Sequence, residues 1–357
     1  MTSDYLLVGP LADPALCGVL GLAGDAVDLR GTLVGGARAG IEAGGWPQWR
    51  SGEGALPALR VTMTPALARY AAVMGLRPIA LGDDRLLGVQ DEVPVPVQGG
   101  WLPTLAAEIA ALILQETPDR APEDIARRLP MIGVWAESRL RGRASIPSGG
   151  DVVARRDLAA DVTIADRTQP FAGFFAVEEW RLAHRTHAGG FTPDVRREGF
   201  VMGDAVVVLP WDPVRDRVLV IEQFRFAPAL RCDPQPWQLE AVAGRIDAGE
   251  TAGQAALREA QEEAALTLTR LVPTVHHYPS PGAVTEFLYM FIGVTDLPDD
   301  VTGVHGLDSE AEDIRGHLLE RADLTRMVFE GQISNGPLVT LALWLELRAA
   351  ALQGQGA

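Results

Sequence analysis

The chain contains no lysine, and all 31 of its basic residues are arginine. Schiff-base chemistry on a lysine side chain is therefore excluded. Cysteine is nearly absent too. Cys17 and Cys232 stand far apart with no metal-like spacing, so buried free thiols in a reducing cytoplasm are expected, not a disulfide framework or a zinc cluster. Positive charge is scarce: 47 acidic residues give a formal net charge of −16, which argues against a general nucleic-acid or anionic-membrane binder. An anionic ligand must then be met by local arginines and metal ions. Long apolar runs are missing as well. Leu105 to Leu114 is too short to cross a bilayer, and no charged segment precedes an apolar stretch at the N-terminus, so a cytoplasmic protein is expected.

The 357 residues leave room for two domains with a core in each, and 47% hydrophobic with 22% charged residues is ordinary for a globular protein. The most informative stretch is Gly244 to Leu266, GRIDAGETAGQAALREAQEEAAL. Thr251 and Gln254 have capping-box spacing, which predicts a helix starting at Thr251. Ala252, Ala255 and Ala256 would let it pack close to a neighbour. Glu259 and Glu263, four apart, share one face, with Glu262 beside them. Carboxylates crowded near a helix C-terminus repel one another and are opposed by the macrodipole. An isolated run of this kind reads as a solvated acidic face. A cation would equally explain it, and oxygen-only ligands point to Mg²⁺ or Mn²⁺, not zinc.

The full spacing favours the cation. Gly244, five residues, Glu250, seven residues, then Arg258-Glu259-Ala260-Gln261-Glu262-Glu263 resembles the Nudix box, the signature of hydrolases acting on nucleoside diphosphates linked to another group. Ala265 stands where the family has a glycine, a change that touches no metal ligand. From Asp161 onward the resemblance narrows to the bacterial ADP-ribose pyrophosphatases. It is carried by Gly173-Phe174-Phe175, Val195 to Glu198, Leu209 to Asp216, Ile221 to Arg225, Ser280-Pro281-Gly282, Gly303 to Leu307 and Glu310 to Ile314. It implies a C-terminal α/β/α sandwich with a mixed sheet, over residues 156–357. Apolar segments at Ala205 to Leu209, Val218 to Ile221 and Phe287 to Val294 read as strands, with Asp212 to Asp216 a hairpin loop and Val339 to Leu347 a closing helix.

The same resemblance implies roles. Metal would be held by Glu259, Glu263, the carbonyl of Ala243 and Glu312. Glu262 would join through a second ion or bound water, and Glu250 and Arg258 would orient the helix acids. Glu310 would be the general base, placing Glu310, Glu262 and Arg258 in the catalytic set. Arg197 would lie beside the adenine, Arg225 on phosphate, and Glu286 on the terminal ribose with Gly282 shaping its loop, and Glu198 would also bind substrate. His276 and His277 lack a third soft ligand and read as packing or surface residues. The implied reaction is Mg²⁺-dependent hydrolysis of ADP-ribose to AMP and ribose 5-phosphate by a domain-swapped homodimer. Rival readings are another nucleoside diphosphate sugar, left room by Ala283 and Phe226-Ala227-Pro228, and a sensor that binds ADP-ribose without cleaving it.

Residues 1–95 predict a smaller α+β domain. Tyr5 to Leu11 reads as a strand broken by a Gly-Pro turn, followed by a short helix near Val19, strands at Gly31 to Val34 and Leu59 to Thr62, and a helix opened by Pro65. This order resembles the gamma-glutamylcyclotransferase-like fold. Its substrate loop would be Val8-Gly9-Pro10-Leu11, where proline removes a backbone donor, and a degenerate, non-catalytic domain is expected. A helical connector with Leu105, Ile109, Ile113 and Leu114 at helix spacing fills 96–155, with Pro122 opening a further helix. Arg139, Arg141 and Arg143 read as a solvated cluster, and Ser145 to Asp151 as a linker. The extension resembles the longer alphaproteobacterial relatives associated with tellurite resistance.

Overall fold

The computed structural model describes residues 4–36, 38–90, 100–145, 156–306 and 313–353. The chain divides into two compact units, Met1–Met202 and Gly203–Ala357. Apart from Ser145, the expected linker from Ser145 to Asp151 lies outside the described residues, as do residues 95, 96 and 155 at the expected domain boundaries. No helix among the described residues is long and apolar enough to cross a membrane. Cys17 is buried as expected, but Cys232 is exposed.

The first unit opens with β1 (Asp4–Val8), α1 (Pro14–Val19), β2 (Asp25–Val34), β3 (Gln48–Thr62), α2 (Pro65–Val73), β4 (Arg77–Leu81) and β5 (Asp84–Gly88), whose strands order β2-β3-β1-β5-β4. The strand from Asp4 stops at Val8 because Gly9 takes φ 54° and Pro10 fixes the start of a 3₁₀ turn. Thr64 accepts from the Leu67 amide at 3.1 Å, so α2 starts at Pro65 as its sequence predicts. Next come α3 (Pro103–Gln115), α4 (Pro122–Arg127) and α5 (Leu129–Ala144). Leu105, Ile109 and Ile113 are buried on α3, with Leu112 in place of the half-buried Leu114.

The arginines of α5 correct the sequence expectation. Arg139 and Arg143 both donate to Glu108, at 2.9 and 2.6 Å, and Arg139 also lies over the Trp135 ring. Burial pulls the Arg139 pKa down, against the pull of Glu108. These side chains tie α5 to α3. A parallel device holds the three-stranded sheet of β6 (Val162–Ala172), β7 (Ala176–His184) and β8 (Val195–Val201), which follows α6 (Leu158–Asp161). Buried Glu116 pairs with Arg120 and Arg128, which donate to the Ala172 and Gly173 carbonyls at 3.0 and 2.9 Å.

The second unit is an eight-stranded mixed sheet between helices. Its elements are β9 (Ala205–Asp212), β10 (Arg217–Phe224), α7 (Phe226–Leu230), β11 (Trp237–Glu240), β12 (Val242–Arg245), α8 (Ala252–Ala264), β13 (Arg270–Pro273), β14 (Leu288–Val294), β15 (Val304–His305), β16 (Ile314–Glu320), α9 (Arg321–Phe329) and α10 (Gly336–Gln353). Every residue of β9 is buried, and β9 runs parallel to β14. Alternate side chains sort into two cores. Val207, Leu209 and Trp211 join Leu338, Leu341 and Leu345 of α10, whereas Val206 and Val208 join Ala255, Ala256 and Ala260 of α8. This is the expected α/β/α sandwich. Strands β9 and β10 pair only beside their hairpin loop, at Asp212–Arg217 and Trp211–Val218. Beyond it they part, and β12 pairs with β9 while β11 pairs with β10.

Helix α8 ends at a strained residue. Ala265 sits in the left-handed region at φ 52°, ψ 30°, so that its amide and that of Leu266 reach back to carbonyls of the last turn. Only a Cβ-free residue adopts this backbone without penalty. Ala265 is exposed, so removing its methyl loses no core packing. Ala265→Gly is expected to raise stability by about 1 kcal/mol, read as a higher urea midpoint with unchanged slope. An unchanged or lower midpoint would show that the cap is not strained.

Candidate active site

Helix α8 starts at the predicted capping box, in which Gln254 donates its amide to Thr251 Oγ1 while its side chain reaches back to the Thr251 amide. One face is alanine. Ala255, Ala256 and Ala260 are fully buried, and with side chains this small the helix axis lies close to the sheet. That closeness brings the carboxylates of the same face to the backbone of β12. Glu263 Oε2 accepts from the Ala243 amide at 2.9 Å. Glu259 lies against the next residue: a Cβ built on Gly244 would fall 1.9 Å from Glu259 Oε1. Glu259 and Glu263 are 9% and 3% exposed, so two acids are taken out of water within one helical turn.

Arg258 offsets that burial. Its Nε and NH2 grip both oxygens of Glu250 at 3.1 and 3.0 Å, and its NH1 reaches Glu259 at 2.7 Å and Glu262 at 2.9 Å. NH2 also donates to the Arg245 carbonyl at 2.9 Å, fixing the loop before the helix. Burial works against the Arg258 charge, but Glu250 and Glu259 more than restore it, and its pKa rises. Removing one partner from a buried ionic network of this kind costs roughly 3–5 kcal/mol.

The structure brings together Ala243, Gly244, Glu250, Arg258, Glu259, Glu262 and Glu263. Glu310 and Glu312 lie outside the described residues. Among the described residues no three His, Cys, Asp or Glu side chains converge as a metal-binding group. Two buried carboxylates beside a strand backbone, with a glycine whose Cβ would collide with one of them, nonetheless suit an oxygen-ligated divalent cation.

The other candidates are carried by other elements. Arg197 and Glu198 are exposed on β8 in the first unit, opposite Trp180 and Glu179 of β7. Arg225 follows β10, and Gly282 lies in an exposed turn closed by the Ala283 amide donating to the Ser280 carbonyl at 3.0 Å. Glu286 precedes β14, and burial pushes its pKa up, with Asp204 adding to the rise while Arg245 and Arg225 oppose it. His276 is a packing residue: its Nδ1 accepts from the Met290 amide at 3.0 Å and its ring meets Tyr289 and Phe291.

Three residues near this region carry no motif. Glu240, at the end of β11, is 5% exposed and pairs with Arg225, and Asn335 donates to it at 3.0 Å. Arg245 ends β12 opposite Ala205, and burial lowers its pKa against the pull of Glu286. A lone charge in the run Trp237 to Gly244 and an asparagine before a Gly-Pro helix start are the only local signals.

Gly244→Ala tests the cradle. The new methyl must push aside Glu259, so the variant is expected to fold yet bind Mn²⁺ at least about 10-fold more weakly, measured by calorimetry beside a thermal melt. Unchanged affinity would separate Gly244 from the site.

Comparison with known proteins agrees with this geometry. The NUDIX domain matches residues 202–339. An ADP-ribose pyrophosphatase of Escherichia coli (strain K12) is 42% identical over 197 residues, covering 55% of this chain and 93% of that protein. One from Haemophilus influenzae is 35% identical over 195 residues, 54% of this chain and 89% of that protein. A GDP-mannose pyrophosphatase of Yersinia pestis is 25% identical over 174 residues, 49% and 86% of the two chains. With box, sandwich and relatives in agreement, this chain belongs to the NUDIX family of hydrolases.

Proposed function

We propose that the protein hydrolyses the diphosphate of ADP-ribose, giving AMP and ribose 5-phosphate, with Mg²⁺ or Mn²⁺ as its ion. The observation that carries this reading is the pair Glu259 and Glu263 buried against the Ala243–Gly244 backbone, and the 42% identity to an ADP-ribose pyrophosphatase supports the substrate. Glu259, Glu263, the Ala243 carbonyl and Glu312 would hold the ion. Bound there, it would acidify the attacking water and offset phosphate charge.

This chain's own groups then divide the work. Glu310 takes the proton of the water as its oxygen joins one phosphorus and the P–O–P bridge breaks. Arg258 keeps Glu259 and Glu262 in place. Arg225 contacts phosphate, Glu286 accepts from the terminal ribose hydroxyls beside Gly282, Arg197 stacks on the adenine, and Glu198 adds a further substrate contact. Residues 156–357 form the hydrolase domain, and residues 1–95 a non-catalytic one.

A homodimer completes the proposal. The β6–β8 sheet contributes only Ala176 and Val201 to the buried hydrophobic residues and leaves Phe171 and Phe174 exposed, 57% and 65%. A sheet with so few buried residues, bearing two exposed phenylalanines at and beside its β6–β7 turn, is expected to cover them with a second copy. Light scattering should give a mass near twice 38.2 kDa. A monomer at working concentration contradicts it.

The direct test is AMP and ribose 5-phosphate release from ADP-ribose with Mg²⁺, comparing wild type with Glu263→Gln and Glu310→Gln. Both variants should lose about 10²- to 10⁴-fold in kcat. Binding without product release would make the protein a sensor, and turnover of GDP-mannose in preference to ADP-ribose would overturn the substrate.

A further inference from the structure

The buried acid that the diphosphate chemistry leaves without a task is Glu240. It sits at the end of β11, 5% exposed, the one acid in the run Trp237 to Gly244. Its two oxygens are separately engaged. Oε2 accepts from Arg225 Nε at 2.9 Å and NH2 at 2.6 Å, and Oε1 accepts from Asn335 Nδ2 at 3.0 Å. Asn335 is the only asparagine in the chain. It is fixed from its other side, because its Oδ1 accepts from the Leu338 amide at 2.9 Å and its carbonyl from Val339 at 3.0 Å, at the start of α10. A chain of contacts thus runs from the first turn of α10 through Asn335 and Glu240 to the Arg225 guanidinium.

The geometry matters because a guanidinium is planar. One edge, Nε with NH2, is committed to a single carboxylate oxygen, which sets the plane of the whole group. The opposite NH1–NH2 edge is the one shaped for two oxygens of a phosphate. The Arg225 side chain is 40% exposed while that of Glu240 is 7%, so the anchor is buried and the arginine reaches toward solvent. An exposed arginine loses rotamer entropy when it grips a ligand, and an anchor removes that loss in advance. A second cation shares the neighbourhood: Arg245 and Glu286 both act electrostatically with Arg225.

We propose that Glu240, held by Asn335, is a positioning residue that presents Arg225 to the diphosphate of the substrate. The proposal rests on Arg225 being the phosphate contact, as in the proposed function. It gives α10, whose residues otherwise pack the core, a part in substrate affinity. Glu240 itself touches no reacting atom, so its loss should appear in KM before kcat.

Steady-state kinetics of the full chain with ADP-ribose and Mg²⁺, on Arg225→Gln, Glu240→Gln and the double variant, separate the possibilities. Arg225→Gln should lower kcat/KM by about 10- to 100-fold, as the loss of a charged hydrogen-bond pair does. Glu240→Gln should raise KM by about 10-fold with kcat within about twofold, and add nothing further in the Arg225→Gln background. Losses that multiply in the double variant, or a fall in kcat and melting temperature at unchanged KM, would overturn the proposal. Wild-type kinetics in Arg225→Gln would instead sink the reading of Arg225 on which it rests. Should Glu240→Gln fail to fold, Asn335→Asp decides. It keeps the acceptor for Leu338 but sets an oxygen against Glu240, and is expected to raise KM about 3- to 10-fold. An unchanged KM there also overturns the proposal.

Discussion

Two carboxylates held out of water are the constraint that the rest of the second unit serves. Glu259 and Glu263 stand four residues apart on α8, a spacing that places like charges side by side. Nothing in a helix favours this near its C-terminus. The arrangement persists because Arg258 spans Glu250, Glu259 and Glu262, and because the Ala243 amide donates to Glu263. Alanines on the same face bring the helix near enough for that amide to be reached, and Gly244 leaves room for Glu259. Charge, packing and the missing Cβ act on one spot. Folding alone would not select it, since the pair costs desolvation that an apolar pair would not. A function that needs a cation does.

The sheet explains how this spot is presented. Strands β9 and β10 pair only beside their hairpin loop, and the gap that opens beyond it admits β11 and β12. Strand β12 therefore shows one face to α8 and the other to the α10 side. Val242 joins the core under α8, whereas Ala243 packs with the α10 core. The same divergence carries Glu240 on β11 within reach of both Arg225 and Asn335. One topological feature thus positions the acids under α8 and the arginine anchor.

Much of this was legible locally. Thr251 with Gln254 located the start of α8, the apolar runs located β9, β10 and β14, and Pro65 located the start of α2, because each signal is written within a few residues of its effect. The Ala265 departure was visible, but its left-handed backbone was not, since that depends on how the chain leaves the helix. Other features are non-local. Glu240 and Asn335 are 95 residues apart, and neither stands in a motif. Arg139 and Arg143 read as solvated because Glu108 lies a helix away, and Arg120 and Arg128 meet the Ala172 and Gly173 carbonyls only once their segment packs on the β6–β7 turn. Spacing reports what shares a face of one element. Pairing between elements needs the fold.

The central claim is that the acids of α8 and the β12 backbone form a divalent-cation site. Anomalous scattering from crystals soaked in Mn²⁺ tests it most directly. The account predicts a manganese peak bounded by the Glu259 and Glu263 carboxylates and the Ala243 carbonyl. Manganese bound elsewhere, with that position empty in protein that still cleaves its substrate, would contradict it.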